Sequence, residues 1–311
     1  MTVVTVRSPA KINLELKVGY PPRDGYHPLA TVYQAVSLYD EVKARPAGPG
    51  EVTVTITGEG EQVLPTDRAN LAVQAAHLLA KEFDVAGGVA LSIHKTIAVA
   101  GGLAGGSTDA AAALVACDSL WGLGATRQEL IALAAQLGSD VPFCLVGGNA
   151  VGSGRGESVM PVLARGSYEW VLAYATSGLA TADVYAEFDR VSDRSTGGAT
   201  SSERDIPSDP EVSSELMTAL RSGDPYGLGL AMHNDLQAPA TRLLPGIRRT
   251  LDVGEEFGAL GSLVSGSGPT CIFLAADDDH ALDLAVALSA SGTCRSVQRA
   301  TGPVGGARLV T

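Results

Sequence analysis

The stretch AGGLAGGSTDAAAALVA, Ala100 to Ala116, sets Gly101, Gly102, Gly105 and Gly106 directly before an alanine run. Glycine inside a helix or strand costs about 0.5–1 kcal/mol relative to alanine, so four such residues in close succession mark a place where bare backbone is needed. Alanine is the strongest helix former, and the reading predicts a helix from Ser107. A helix start leaves N–H groups unpaired and carries partial positive charge. Glycines there let an anion come close to the backbone, and the combination predicts a phosphate cradle. A plain tight turn before a helix is the alternative.

The common phosphate loops do not fit. G-x-x-x-x-G-K-[ST] needs lysine before Ser107, where Gly106 stands. GGLAGG holds no clean G-x-G-x-x-G, and no early βαβ unit surrounds it.

The chain has 311 residues, 45% hydrophobic and 18% charged, with a net charge of −12. That length predicts two domains. The acidic balance argues against non-specific nucleic-acid binding, which needs clustered Lys and Arg. Anionic phosphates must instead be met by backbone dipoles and a few placed cations. Cys117, Cys144, Cys271 and Cys294 lack C-x-x-C spacing and a histidine cluster, so buried reduced thiols are expected. The N-terminus lacks a signal peptide's apolar core, and no stretch is long and apolar enough to span a bilayer, so the expected compartment is the cytoplasm, with no membrane partner.

Val3–Val6 and Ile12–Val18 read as two strands around a SPAK turn. TVYQAVSLYDEVKARP, EVTVTITGEG and GVALSIHKTIAV read as further strands, and DRANLAVQAAHLLAKEFDV as an amphipathic helix. After the helix from Ser107 another is expected from Thr126 to Leu137, then loop and short strand through GSDVPFCLVGGNAVGSGRGE. Past Val162, EWVLAYAT predicts a strand and ATADVYAEFDRV a helix, while Ser192 to Ser214 reads as a mobile polar loop. Helices are expected at ELMTALRSGD, from Leu228 to Ala240, and at DDHALDLAVALSASG; GSLVSGSGPTCIFLAA reads as a turn into a strand, and ARLV as a closing strand.

SPAKINLELKV, RDGYHPLATVYQAV, GGSTDAAAAL, LGSDVPF and SGSGPT, taken together and in this order, resemble the GHMP kinase superfamily over nearly the whole chain. Within it, DGYH resembles the branch whose acceptor is a cytidine-diphosphate sugar alcohol. The resemblance implies an α+β, two-domain fold: an N-terminal ribosomal-protein-like α/β domain (residues 1–162) and a C-terminal ferredoxin-like domain (163–311), with the active site in the cleft between them. It implies ATP-dependent phosphorylation of an acceptor hydroxyl, with Mg2+ as cofactor, small molecules as partners, and a monomer or weak homodimer.

Residue by residue, the resemblance implies catalytic roles for Asp140, accepting the hydroxyl proton, and Lys11, orienting Asp140 and stabilising charge. Alone, Asp140 reads as a turn former and Lys11 as a solvated strand lysine. ATP would be held along Ala98, Val99, Ala100, Gly101, Gly102, Leu103, Ala104, Gly105, Gly106, Ser107 and Thr108, with the hydroxyl of Ser107 or Thr108 reaching a phosphate or magnesium. The family loop usually has glycine at positions 100 and 104, where alanine restricts positive φ. Asp109 is read either as a helix cap or as a group near the metal. Tyr26 and Tyr185 would stack on cytosine, His27 would bond its edge, and Asn13 would contact the acceptor. SGSGPT reads as a turn that buttresses the phosphate loop, and Asn234 and Asp235 as capping and packing. The rival readings are a homoserine- or mevalonate-type kinase, for which the aromatic slot has no use, and a non-catalytic binding module.

Overall fold

The computed structural model describes residues 2–20, 26–195 and 207–310. In chain order it contains β1 (Val4–Val18), β2 (Leu29–Ala47), β3 (Val52–Gly58), α1 (Leu71–Glu82), β4 (Gly88–Lys95), α2 (Gly105–Trp121), α3 (Arg127–Leu137), α4 (Val141–Val146), β5 (Asn149–Ser153) and β6 (Ser158–Pro161). There follow β7 (Tyr168–Tyr174), α5 (Thr181–Ser195), α6 (Ser214–Ser222), α7 (Pro225–Ala231), β8 (His233–Asn234), α8 (Gln237–Leu243), α9 (Gly246–Glu256), β9 (Gly261–Val264), β10 (Cys271–Ala275), α10 (Asp278–Ser291), β11 (Ser296–Gly302) and β12 (Arg308–Leu309).

Two sheets organise these elements. The first runs β12-β1-β2-β4-β3, with β5 also on β2, β6 on β5 and β8 on β1. The second is an antiparallel sheet of order β11-β7-β10-β9. β8 and β12, from the C-terminal half, pair with β1 and tie the halves together.

β1 is one strand, not the two expected. Its register with β2 slips between Pro9 and Ala10 and again between Asn13 and Glu15. The first bulge absorbs Pro9 and changes which face points where. Before it, Val4 and Val6 pack in the core beneath α1 and α2. After it, Ala10, Ile12 and Leu14 pack against Trp170, Leu172 and Ile272 of the second sheet. Lys11 and Asn13 are thereby turned into the space between the halves.

α2 starts at Gly105, two residues before the expected Ser107. Its Ala110–Ala113, Leu114, Ala116 and Cys117 are buried, small side chains that let the helix lie close to the sheet. α3 follows a capping box in which Thr126 and Glu129 bond each other's backbone N–H. GSDVPFCLV was read as loop, but 141–146 is helical: Pro142 stands in the first turn, where its missing N–H costs nothing. The expected 228–240 helix is α7, a short strand and α8. Ser192–Ser195 of the expected loop belong to α5; residues 196–206 lie outside the described residues. Cys117, Cys144 and Cys271 are buried free thiols as expected, and Cys294 is half-buried.

Candidate active site

A cavity of about 1170 Å³ opens between the two halves. Along one wall the chain leaves β4 and loops through Ala98–Ala104 into α2. The first helical N–H to find a helical partner is that of Thr108, which donates to Ala104 O (2.8 Å). The N–H groups of Gly105, Gly106 and Ser107 thus stand at a helix start facing the cavity, ready for an anion.

The loop's left-handed turns fall at Ala100 (φ 52°), Gly102 (φ 76°) and Ala104 (φ 61°). Gly105 and Gly106 take ordinary helical φ; a Cβ on Gly105 would lie 3.3 Å from Ile97 Cγ2 and 3.5 Å from Lys95 Nζ, and one on Gly106 would lie 3.6 Å from Leu71 Cδ1. Gly102 is fixed by close approach, since a Cβ on it would lie 2.1 Å from Ser265 O. The SGSGPT turn does buttress this loop: Ser265 Oγ donates to Gly102 O (3.1 Å), and Lys11 N donates to Leu103 O (3.2 Å) from the other side. Asn234 in turn holds the buttress, its amide donating to Val264 O and Gly266 O, both at 2.7 Å.

Two members of the expected set turn inward. Leu103 is core. Thr108 is fully buried and its hydroxyl donates to Pro9 O (2.9 Å), so Ser107 is the hydroxyl left in the cavity wall. Asp109 does not cap the helix; its carboxylate is ion-paired with Lys95 at 2.6 Å. Lys95 also meets Asp40 at 2.5 Å.

Lys11 and Asp140 come together, Nζ to Oδ2 3.8 Å. Lys11 is only 5% exposed and donates to Asn13 Oδ1 (2.6 Å), while Asn13 Nδ2 donates to Thr31 Oγ1 (2.8 Å). Asn13 therefore spends its oxygen on positioning the lysine. Asp140 stands at the N-cap of α4 without capping it, which leaves its carboxylate for other partners. Tyr33, which sequence reasoning missed, is one of them. Burial, then the charge and hydrogen bond of Asp140, push its phenol well above its usual range, so it remains a donor beside the carboxylate.

Tyr26, His27 and Tyr185 line the same cavity. His27 Nδ1 faces Gly19 O (2.9 Å) and Nε2 faces Asp189 (3.3 Å), so both ring nitrogens already have partners. The His27 ring packs against Tyr185 (centroids 5.3 Å) and edge-on to Phe188 (5.8 Å). Tyr26 is 56% exposed, with the Arg155 guanidinium 3.5 Å over its ring. Arg155 was not foreseen; it sits in the β5–β6 turn, far in sequence from DGYH, and only the pairing of β5 with β2 brings it near.

Among the described residues no group of three or more His, Cys, Asp or Glu could hold a metal ion. Among the same residues no helix is long and apolar enough to cross a membrane.

Residues 70–148 match the GHMP kinases N terminal domain and residues 216–294 the GHMP kinases C terminal family. A 4-diphosphocytidyl-2-C-methyl-D-erythritol kinase of Leifsonia xyli subsp. xyli is 51% identical, covering 100% of both chains. A crystal structure of 4-(cytidine 5'-diphospho)-2C-methyl-D-erythritol kinase superposes with TM-score 0.76 at 32% identity, covering 96% of this chain and 100% of that one. A homoserine kinase from Cytophaga hutchinsonii shares the fold, with TM-score 0.74 at 18% identity, over 100% of this chain and 98% of its own. Sequence, fold and cleft agree, and the chain belongs to the GHMP kinases, in the 4-diphosphocytidyl-2-C-methyl-D-erythritol kinase family.

Proposed function

We propose that this protein transfers the γ-phosphoryl group of ATP to the 2-hydroxyl of 4-diphosphocytidyl-2-C-methyl-D-erythritol, giving the 2-phosphate and ADP in isoprenoid precursor synthesis. The observation that carries this reading is one cavity lined by the glycine loop and helix start, by Tyr26, His27 and Tyr185, and by the paired Lys11 and Asp140. The functional division is residues 1–162 and 163–311, working in the cytoplasm as a monomer or weak homodimer. Mg2+ keeps most of its waters and needs few protein ligands; bound with the nucleotide it would neutralise phosphate charge, with the Ser107 hydroxyl in the cavity wall as the side chain beside it.

Phosphoryl transfer asks little covalent chemistry of the protein; placement and charge neutralisation do most of it. The backbone from Ala98 to Ser107 holds the phosphates. Tyr26 and Tyr185 present faces to the cytosine, with His27 packed behind Tyr185. The acceptor hydroxyl reaches Asp140, which takes its proton as the oxygen attacks. Lys11, held by Asn13, keeps a positive charge against the forming alkoxide. An ADP-release assay over diphosphocytidyl-methylerythritol, mevalonate, homoserine and galactose tests the reading. Turnover is expected with the first; a higher kcat/KM for any other overturns it.

A further inference from the structure

Lys11 carries its ammonium on a flexible four-carbon stem, yet the chemistry needs it at one place, 3.8 Å from Asp140. Asn13 Oδ1 accepts from it at 2.6 Å. An asparagine amide presents an acceptor on one side and two donors on the other. Turned over, it would set N–H groups against the ammonium, donor against donor, and Lys11 would lose that hold. The orientation of the amide therefore decides where the lysine sits.

Thr31, on β2, fixes that orientation. Its hydroxyl lies 2.6 Å from the backbone oxygen of Glu15. A carbonyl only accepts, so the single hydroxyl proton is spent there. Thr31 Oγ1 then has only lone pairs left for Asn13, and the amide nitrogen, 2.8 Å away, is the group that can donate to them. Nδ2 is thus turned toward Thr31 and Oδ1 toward Lys11. Glu15 O, Thr31, Asn13 and Lys11 form a one-way chain of hydrogen bonds that starts at the backbone of β1 and ends at the ammonium.

The surroundings leave this chain little freedom. Thr31 is fully buried, and Asn13 and Lys11 are nearly so, which makes a lost partner costly. The chain spans the second bulge of β1, where Asn13 stands opposite Tyr33 and Glu15 opposite Val32. Bulges of this kind re-aim side chains beside active sites. From the other side Gly266 of the SGSGPT turn presses in: a Cβ on it would lie 3.2 Å from Asn13 Oδ1 and 3.3 Å from Lys11 Nζ.

We propose that Thr31 is a positioning residue for phosphoryl transfer: by fixing which way the Asn13 amide faces, it holds the Lys11 ammonium beside Asp140. Fully buried, it meets no substrate and acts only through Asn13 and Lys11. The inference rests on Lys11 acting at the acceptor hydroxyl.

The test is single-turnover transfer to diphosphocytidyl-methylerythritol at saturating ATP, with the full-length protein. Thr31→Val replaces the hydroxyl by a methyl and frees the amide to turn. It is expected to slow transfer about tenfold or more, toward the about 10²-fold that a small misplacement at a reacting centre can cost, with the ATP KM unchanged. Thr31→Ser keeps the hydroxyl and is expected to restore transfer to within about threefold of wild type. In a Lys11→Met background Thr31→Val is expected to add less than about twofold, because residues that act as a unit are not additive. A merely structural role for Thr31 would slow both backgrounds alike. Where the valine variant does not fold, Thr31→Cys takes its place with the same expectations, since a thiol is a weak donor and a weak acceptor. Transfer within about twofold of wild type in Thr31→Val, a serine variant as slow as the valine one, or an equal further loss in the Lys11→Met background overturns the role of Thr31. Wild-type transfer by Lys11→Met overturns the reading of Lys11 and this inference with it.

Discussion

The 3.8 Å between Lys11 and Asp140 is the shortest statement of the chemistry. Asparagine at 140 keeps the shape but takes no proton near neutral pH, and a positioned base is commonly worth about 10²–10⁴-fold. Asp140→Asn is therefore expected to lose that much kcat while ATP still binds. Lys11→Met loses the charge beside the alkoxide and also leaves Asn13 Oδ1 without its donor. If the pair works as a unit, the double variant is little worse than either single one. Single-turnover transfer measures all three. An Asp140→Asn enzyme within about tenfold of wild type means that the hydroxyl proton leaves late and that Asp140 only orients it.

At the scale of the element, the phosphate loop shows what a sequence can and cannot disclose. The glycine loop and the helix start behind it were legible because they are local: glycines, a hydroxyl and an alanine run adjoin in the chain. The cluster of Asp40, Lys95 and Asp109 was not, because Asp40 and Lys95 meet only through the β2–β4 register, in which Glu41 pairs with His94. The same limit hid Tyr33, which reaches Asp140 from the middle of β2. Proline misled in both directions: Pro9 suggested a break in what is one bulged strand, and Pro142 suggested a turn at what is a helix start. Two predictions belong to the loop. Ala100 and Ala104 sit at left-handed φ, which costs a non-glycine residue about 1–2 kcal/mol. Glycine there returns that strain but adds about 0.4–1 kcal/mol of unfolded-state freedom. Ala100→Gly and Ala104→Gly should each gain up to about 1 kcal/mol in denaturant unfolding; a loss of that size contradicts the strain. Gly102→Ala pushes a methyl into the Ser265 carbonyl, so the loop must shift. Small misplacements at a reacting centre can cost about 10²-fold. A raised ATP KM and a lowered kcat are expected, with acceptor binding unchanged; normal ATP kinetics would show that the loop tolerates the shift.

Across the whole molecule, the cleft exists because β1 serves two layers. Its first residues pack beneath α1 and α2, its middle packs against the second sheet, and β8 and β12 return to its edges. That arrangement lets the glycine loop from one half and α5, carrying Tyr185, line one cavity. Fold alone does not choose the acceptor, since a homoserine kinase has the same architecture. The proposed function puts that choice in Tyr26, His27 and Tyr185, where base–aromatic stacking would be worth about 1–3 kcal/mol per base. The direct test is kcat/KM for diphosphocytidyl-methylerythritol against methylerythritol phosphate, which lacks the nucleobase, in wild type and in Tyr185→Ala. The expected result is a strong wild-type preference for the cytidine-bearing acceptor. In Tyr185→Ala that preference shrinks by about 5–150-fold, the ratio equivalent to that stacking energy, while the ATP KM is unchanged. Equal turnover of the two acceptors by the wild type, or a preference that survives in Tyr185→Ala, would contradict the account.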